Sequence, residues 1–227
     1  MTTVTIIGPG RQGTAIAQLF ASHGIDVVLY HHKAAKAEAA ARAVSTVAAD
    51  ATVAVAATLA EAAAASDIIV LATLWDQPQR AVIGELGDAL VGKVLVDISN
   101  PLDVTPTGIV MRRPAEGSAG QFVHTLLPAG AGHVKAFSSL ATAFINESAD
   151  AEPRAVLPMV ADSQASYDRV APIIDQAGWT PWLVGDISAS GDVEIGGRFN
   201  TVHGAHGRSR LTADEMLRYA GPERSLS

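Results

Sequence analysis

The chain has 227 residues, of which 48% are hydrophobic and 5% aromatic, and a formal net charge of −7. The apolar share excludes a disordered chain, and the length suits one full domain with a small appendage or two small domains. The acidic balance speaks against a nucleic-acid partner, and the absence of cysteine removes disulfides, thiolate metal sites and cysteine nucleophiles together.

Met1 to Gly8 carries neither the charged start nor the long apolar run of a signal peptide. The most apolar window, Asp67 to Leu74, is far shorter than the roughly 20 residues that span a bilayer. A soluble, cytoplasmic protein with no membrane contact is expected. Alanine, at roughly 40 residues, fills the place of aromatics and implies close helix–sheet packing.

Val4 to Ile7 predicts a strand, and Gln12 to Ser22 a helix with Ile16, Leu19 and Phe20 on one face. Gly24 suits a left-handed cap at its end. Asp26 to Tyr30 reads as a second strand, and a helix follows from about Ala34 to Ala43. Thr52 to Ala56 is a third strand. Thr58 then caps a helix over Leu59 to Ala65, with Glu61 completing a capping box. Ile68 to Ala72 is a continuous apolar strand, as in a sheet buried on both faces. Pro78 stands near the first turn of a helix running to about Leu90, and Val94 to Asp97 is a fifth strand.

This alternation implies an α/β fold: a parallel, doubly wound sheet with right-handed crossovers. Pro101 to Gly117 reads as a surface loop. Ser118 to Leu127 is a helix, Val134 to Phe137 a strand, and Val156 to Ala161 another. Asp162 caps a helix over Ser163 to Ala177, and Trp179 to Val184 closes the pattern. Residues 1–185 are read as the main domain. Residues 186–227, rich in glycine, are read as a C-terminal segment that packs over its edge or against a partner subunit.

Gly8-Pro9-Gly10-Arg11-Gln12-Gly13 has the spacing Gly-x-Gly-x-x-Gly, and it leaves a strand and opens a helix. In that setting Gly8 makes a tight turn, Gly10 lets a pyrophosphate approach the backbone, and Gly13 lets the helix lie close on the sheet. The helix start offers free N–H groups and partial positive charge to phosphates. The bland alternative is a glycine turn without a ligand.

At the end of the second strand an acid would select NAD by binding the ribose 2′-hydroxyl. The chain has His31, His32, Lys33 and Lys36 there instead, with no acid before Glu38. These cations suit a 2′-phosphate, so NADP is the expected cofactor. They oppose the helix dipole, which speaks against a merely solvated helix start. Beyond the fourth strand come Thr73, Leu74 and Trp75, the last either a cleft wall or a packing residue. Beyond the fifth comes Asn100, held extended before Pro101 and expected to aim its amide toward the nicotinamide.

With these residues in view, the chain resembles the F420-dependent NADP oxidoreductase family. The resemblance is carried by Gly8 to Gly13, His31 to Lys36, Leu71 to Trp75, Asp97 to Pro101 and Val134 to Leu140, and it covers about residues 1–185. It implies a Rossmann fold, NADP and coenzyme F420 as redox pair, and a homodimer. The nicotinamide–deazaflavin stacking region implied by the family falls on Phe137, Ser138, Ser139, Leu140 and Ala141.

Hydride transfer between stacked rings needs close positioning more than acid–base chemistry, so no catalytic acid or base is expected. The small-molecule redox partner stays open. An NADPH-dependent reductase of a flavin or a small carbonyl or imine compound fits the residues, and so does a nucleotide-binding module without turnover. His203 and His206 have a ligand-like spacing, but two ligands make an incomplete zinc site, and no metal is expected.

Overall fold

The computed structural model describes residues 2–201 and 210–226. His203 and His206 lie outside the described residues. Strand β1 (Thr3–Ile7) enters helix α1 (Arg11–Ser22), and the march continues through β2 (Asp26–Tyr30), α2 (Ala34–Ser45), β3 (Val53–Val55), α3 (Leu59–Ala64), β4 (Ile68–Leu71), α4 (Gln77–Leu86) and β5 (Val94–Asp97). After a hairpin of β6 (Leu102–Thr105) and β7 (Gly108–Met111) come α5 (Ala119–Leu126), β8 (Gly132–Lys135), α6 (Phe144–Glu147), β9 (Ala155–Ala161), α7 (Gln164–Gln176) and β10 (Thr180–Gly185). The tail supplies α8 (Ser190–Val193), β11 (Leu211–Thr212) and α9 (Ala213–Ala220).

The strands form one sheet in the order β10-β9-β8-β5-β4-β1-β2-β3, with β11 also on β9. From β3 to β8 all neighbours are parallel. This is the doubly wound Rossmann arrangement, and the order reverses direction at β1 and β4, where such sheets open a crevice for ligands. Alternate strand residues feed two cores, as a sheet covered on both faces requires. Ile68, Val70, Val94 and Val96 pack with α1 and α7, whereas Ile69, Leu71 and Leu95 pack with α3, α4 and α5. Thr5, inside β1, satisfies its hydroxyl on Ala62 O at 2.9 Å.

Four expectations are corrected. Pro101 to Gly117 is not all loop, because Leu102–Thr105 and Gly108–Met111 pair as an antiparallel hairpin around a two-residue turn at Pro106 and Thr107. The sheet is not wholly parallel. β9 runs antiparallel to β8, and β10 lies parallel to β9. The segment joining β8 to β9 holds only the four-residue α6 and no helix that runs back along the sheet, and the chain re-enters the sheet at the end where it left. Ser163, not Asp162, caps α7, accepting from Ser166 N–H. At α3, Thr58 accepts from Glu61 N–H at 3.1 Å, but the Glu61 carboxylate takes Ala57 N–H rather than that of Thr58.

The tail closes the reversed edge. Ile187, Val193, Phe199, Leu211 and Met216 pack on Val156, Val160 and Trp182 of β9 and β10. Among the described residues, no helix is long and apolar enough to cross a membrane.

Candidate functional site

The glycine turn is built by close approach. Gly8 has φ +83°, donates to Tyr30 O at 2.9 Å, and would place a Cβ 2.9 Å from Thr73 Cγ2. A Cβ on Gly13 would fall 2.8 Å from that of Ala72, so α1 lies directly on the end of β4. Gly10 differs, since its Cβ would meet only Gly8 O at 3.9 Å. The space above Gly10 is open to an incoming group. Gly10 is the N-cap of α1, and neither a capping side chain nor an acid occupies the first turn. The first N–H groups of the helix are therefore left for an anion.

From this turn a cleft of about 580 Å³ runs along the ends of β1, β2 and β4. Its rim brings His31, His32, Lys33 and Lys36 together with Gly8, Gly10, Thr73 and Leu74. The rings of His31 and His32 lie 4.3 Å apart, and His31 Nδ1 accepts Lys33 N–H at 3.0 Å. That bond leaves the His31 proton on Nε2. Partial burial first, then the neighbouring His32, Lys36 and Lys33 charges, hold the His31 pKa below its ordinary value. A rim of cations that repel one another at a helix start without a cap is a site that gains from an anion. Thr73 Oγ1 is buried in the same cleft with no hydrogen-bond partner. These features fit a dinucleotide with an added phosphate.

Other proposed contacts lie elsewhere. Pro9 is buried, and Arg11 stands exposed beside the turn. Gln12 spends its amide on Phe137 O at 3.1 Å. Trp75 turns away from the cleft. It is buried, packs edge-on against Phe122 at 5.5 Å, and carries the Arg112 guanidinium over its face at 4.6 Å. Its contacts in the structure are packing contacts. Asn100 uses its amide to join two segments of the chain. Its Nδ2 donates to Ser138 O at 2.9 Å and its Oδ1 accepts Ile195 N–H at 2.6 Å. Pro101 is buried beside it.

Phe137, Ser138, Ser139 and Leu140 do reach the carboxyl end of the sheet, next to Asn100, but they are buried there, and Ala141 is half-buried. Phe137, at φ +59°, puts its ring into the core against Phe20. Its ring is thus not a free stacking platform. The tail covers this loop. Ser138 Oγ donates to Val193 O at 2.9 Å, and Thr201 N–H donates to Ser139 O at 2.8 Å.

One cluster escaped the sequence reading. Asp97 and Lys135, the last residues of β5 and β8, meet Glu194 of the tail, and all three are buried. Lys135 Nζ lies 2.8 Å from Asp97 Oδ2, 2.7 Å from Ser99 O and 3.3 Å from Glu194 Oε1. Glu194 in turn accepts Gly120 N–H at 2.8 Å and Ala119 N–H at 3.1 Å, at the start of α5. Burial would lower the Lys135 pKa, but the two carboxylates outweigh it and hold the lysine charged. The Asp97 carboxylate is likewise kept ionised against its burial by Lys135 and by the Ser99 N–H. The signal in the sequence was a lone charge inside each of two apolar strands, which needs a buried partner. Among the described residues no group of three or more His, Asp or Glu side chains could hold a metal ion.

Comparison with known proteins bears on these features. Residues 3–101 match the family model described as NADP oxidoreductase, coenzyme F420-dependent. The resemblance drawn from the sequence is borne out over that stretch, which holds the glycine turn and the cationic rim. No curated protein matches the chain. A hypothetical protein from Sinorhizobium meliloti superposes with a TM-score of 0.76 at 25% identity, over 94% of this chain and 97% of its own. A candidate F420-dependent NADP reductase from Arthrobacter sp. FB24 gives 0.67 at 22% identity, over 85% and 89%. A reductive aminase from Aspergillus terreus, solved with NADPH4, cyclohexanone and allyl amine, gives 0.59 at 24% identity. This chain matches 57% of that enzyme's length. The last two likenesses establish the fold. The class to which the chain is similar is that of NADP-dependent oxidoreductases.

Proposed function

We propose that the chain is an NADP-dependent oxidoreductase that moves a hydride between NADP(H) and a deazaflavin acceptor of the coenzyme F420 kind. The observation that carries this reading is the cleft that joins an uncapped helix start at Gly10 to the cations of His31, His32, Lys33 and Lys36. The family match over residues 3–101 supports the nicotinamide half. The deazaflavin half rests on the name of that family and on the motif from Val134 to Leu140.

In this reading the first turn of α1 holds the pyrophosphate, with Gly10 admitting it to the backbone. Lys33 and Lys36 grip the 2′-phosphate through charge-assisted hydrogen bonds, which are roughly twice as strong as neutral ones. Thr73 Oγ1 gains the partner it lacks, and Leu74, 65% exposed, gives an apolar surface for the cofactor. Bound NADPH supplies the hydride. The protein's task is to hold donor and acceptor carbons about 3–3.5 Å apart and to keep water out, and the buried loop from Phe137 to Leu140 serves the second part.

The test is a fluorescence titration of the purified protein with NADPH and with NADH. Replacing Lys33 and Lys36 together by alanine is expected to weaken NADPH at least tenfold and NADH less than threefold. Equal losses would remove the 2′-phosphate site. Uptake of neither nucleotide by the unaltered chain would remove the whole reading. Absorbance assays with oxidised F420 and with FMN then separate the deazaflavin acceptor from a flavin.

A further inference from the structure

The tail is fastened to the rest of the molecule in two ways. Its apolar residues pack on Val156, Val160 and Trp182, and that cluster includes no residue of the loop after β8. A separate set of polar contacts ties residues 193–201 to that loop and to the end of β5. Asn100 bridges Ser138 and Ile195, Val193 accepts from Ser138, Thr201 holds Ser139, and Glu194 pairs with Lys135. The apolar cluster would keep the tail on the sheet without any of them.

The ionic contact is the unusual one. Asp97, Lys135 and Glu194 sit in the interior, and an apolar set of similar shape would hold a fold as well or better. What such a set could not do is fix direction. The Lys135 ammonium donates to Asp97 on β5 and to Ser99 O in the loop beyond it, and it stands 3.3 Å from Glu194 Oε1 of the tail as an ion pair. Glu194 then reaches the first two N–H groups of α5, so four chain segments share one locked geometry.

We propose that Glu194 is a positioning residue of the acceptor site: acting through Lys135, it sets where the loop of residues 136–141 lies against the nicotinamide end of the cofactor. This inference rests on the NADP reading for what the loop faces. It makes the tail a working part of the site, although Glu194 touches neither reactant. It also accounts for a buried charge network at the ligand end of the two strands whose following loops carry Asn100 and Phe137 to Ala141.

Two substitutions separate positioning from simple capping. Glu194→Gln loses the charge that pairs with Lys135 but keeps one acceptor oxygen for the α5 N–H groups, whereas Glu194→Ala loses the charge and both oxygens. Hydrogen exchange of the full chain gives the readout, since the amides of Ser138, Leu140, Ala141, Ile195 and Thr201 are all hydrogen-bonded in this region. In both variants exchange is expected to rise at least tenfold over residues 136–141 and 193–201, and to change less than twofold over residues 4–13. The Kd for NADPH is expected to stay within twofold. With oxidised F420 as the probe, its KM rises at least fivefold while that for NADPH does not. If Glu194→Gln behaves as the unaltered protein, or if exchange rises evenly across the sheet, Glu194 is a structural cap and the proposal is wrong. Should the unaltered chain bind no NADPH, the reading of the cofactor fails on its own. The pattern of exchange still decides whether Glu194 sets the loop.

Discussion

His133 lies in the core at 0% exposure, two residues before Lys135 on β8, and neither ring nitrogen has a hydrogen-bond partner. Its ring stacks on His124 at 5.6 Å, and its Nε2 stands 4.0 Å from Asp97 Oδ2. Burial, helped by the Lys135 and His124 charges and opposed by Asp97 and Asp162, lowers its pKa to about 4. The unfolded chain therefore takes up this proton near pH 6.5, while the folded chain refuses it until about pH 4. Stability is full above pH 6.5 and falls as the pH drops through that window, by about 3 kcal/mol in all. Replacing His133 by phenylalanine removes the titration and two unsatisfied polar atoms. Urea unfolding between pH 7 and 4 is expected to show the acid slope reduced by about one proton, with no loss of stability at pH 7. An unchanged slope would place the acid sensitivity at another group. Read from the sequence, strand β8 begins at Val134, so His133 falls outside it and its burial was not legible. Asp97 and Lys135 were more legible, because a single charge inside VLVD or HVKAF has to be answered by another.

At the scale of elements, α1 and β4 meet so closely that the glycine turn depends on their spacing. A methyl on Gly13 would sit 2.8 Å from Ala72 Cβ and 3.1 Å from Gly8 O. Gly13→Ala is expected to push the first turn of α1 off the sheet, at a cost of about 1–3 kcal/mol, and to weaken NADPH and NADH alike by tenfold or more. Adding Ala72→Gly removes the first of the two clashes and is expected to restore much of the affinity. If the double variant binds no better than the single one, the close approach to Gly8 O is what matters. Spacing of this kind was legible, since the three glycines follow a strand and open a helix. Strand direction was not. Val156 to Ala161 reads as a buried strand in either direction, and nothing in its pattern tells that it runs antiparallel to β8. The hairpin was hidden for a related reason. Pro101, Pro106 and Gly108 mark a loop in the sequence, while Leu102 to Thr105 and Ile109 to Met111 pair only once the turn has formed.

For the whole molecule, the question is whether the chain divides near Gly185, as its composition implied. The contacts argue for one cooperative unit. β11 pairs with the stretch of β9 at Ala155 and Val156 that β8 leaves open, and Leu211 and Met216 are buried against β9 and β10. Glu194 supplies the second carboxylate to Lys135 and the acceptors for two N–H groups of α5. Glu223 accepts from Tyr167 and from Leu183 N–H, which pins the last described turn to α7 and β10. A chain ended after residue 185 loses all of these at once. It bares the apolar face of Val156, Val160 and Trp182, leaves the start of α5 without its acceptor, and leaves Lys135 with Asp97 as its one carboxylate. Such a fragment is expected to keep helix and strand signals in the far ultraviolet but to lose its near-ultraviolet spectrum and bind a hydrophobic dye, as a loosely packed state does. The full chain is expected to unfold in a single urea transition by both probes. A fragment of residues 1–185 that unfolds sharply and still takes up NADPH would show that the tail is an accessory rather than part of the fold, and the site would then have to be built without Glu194.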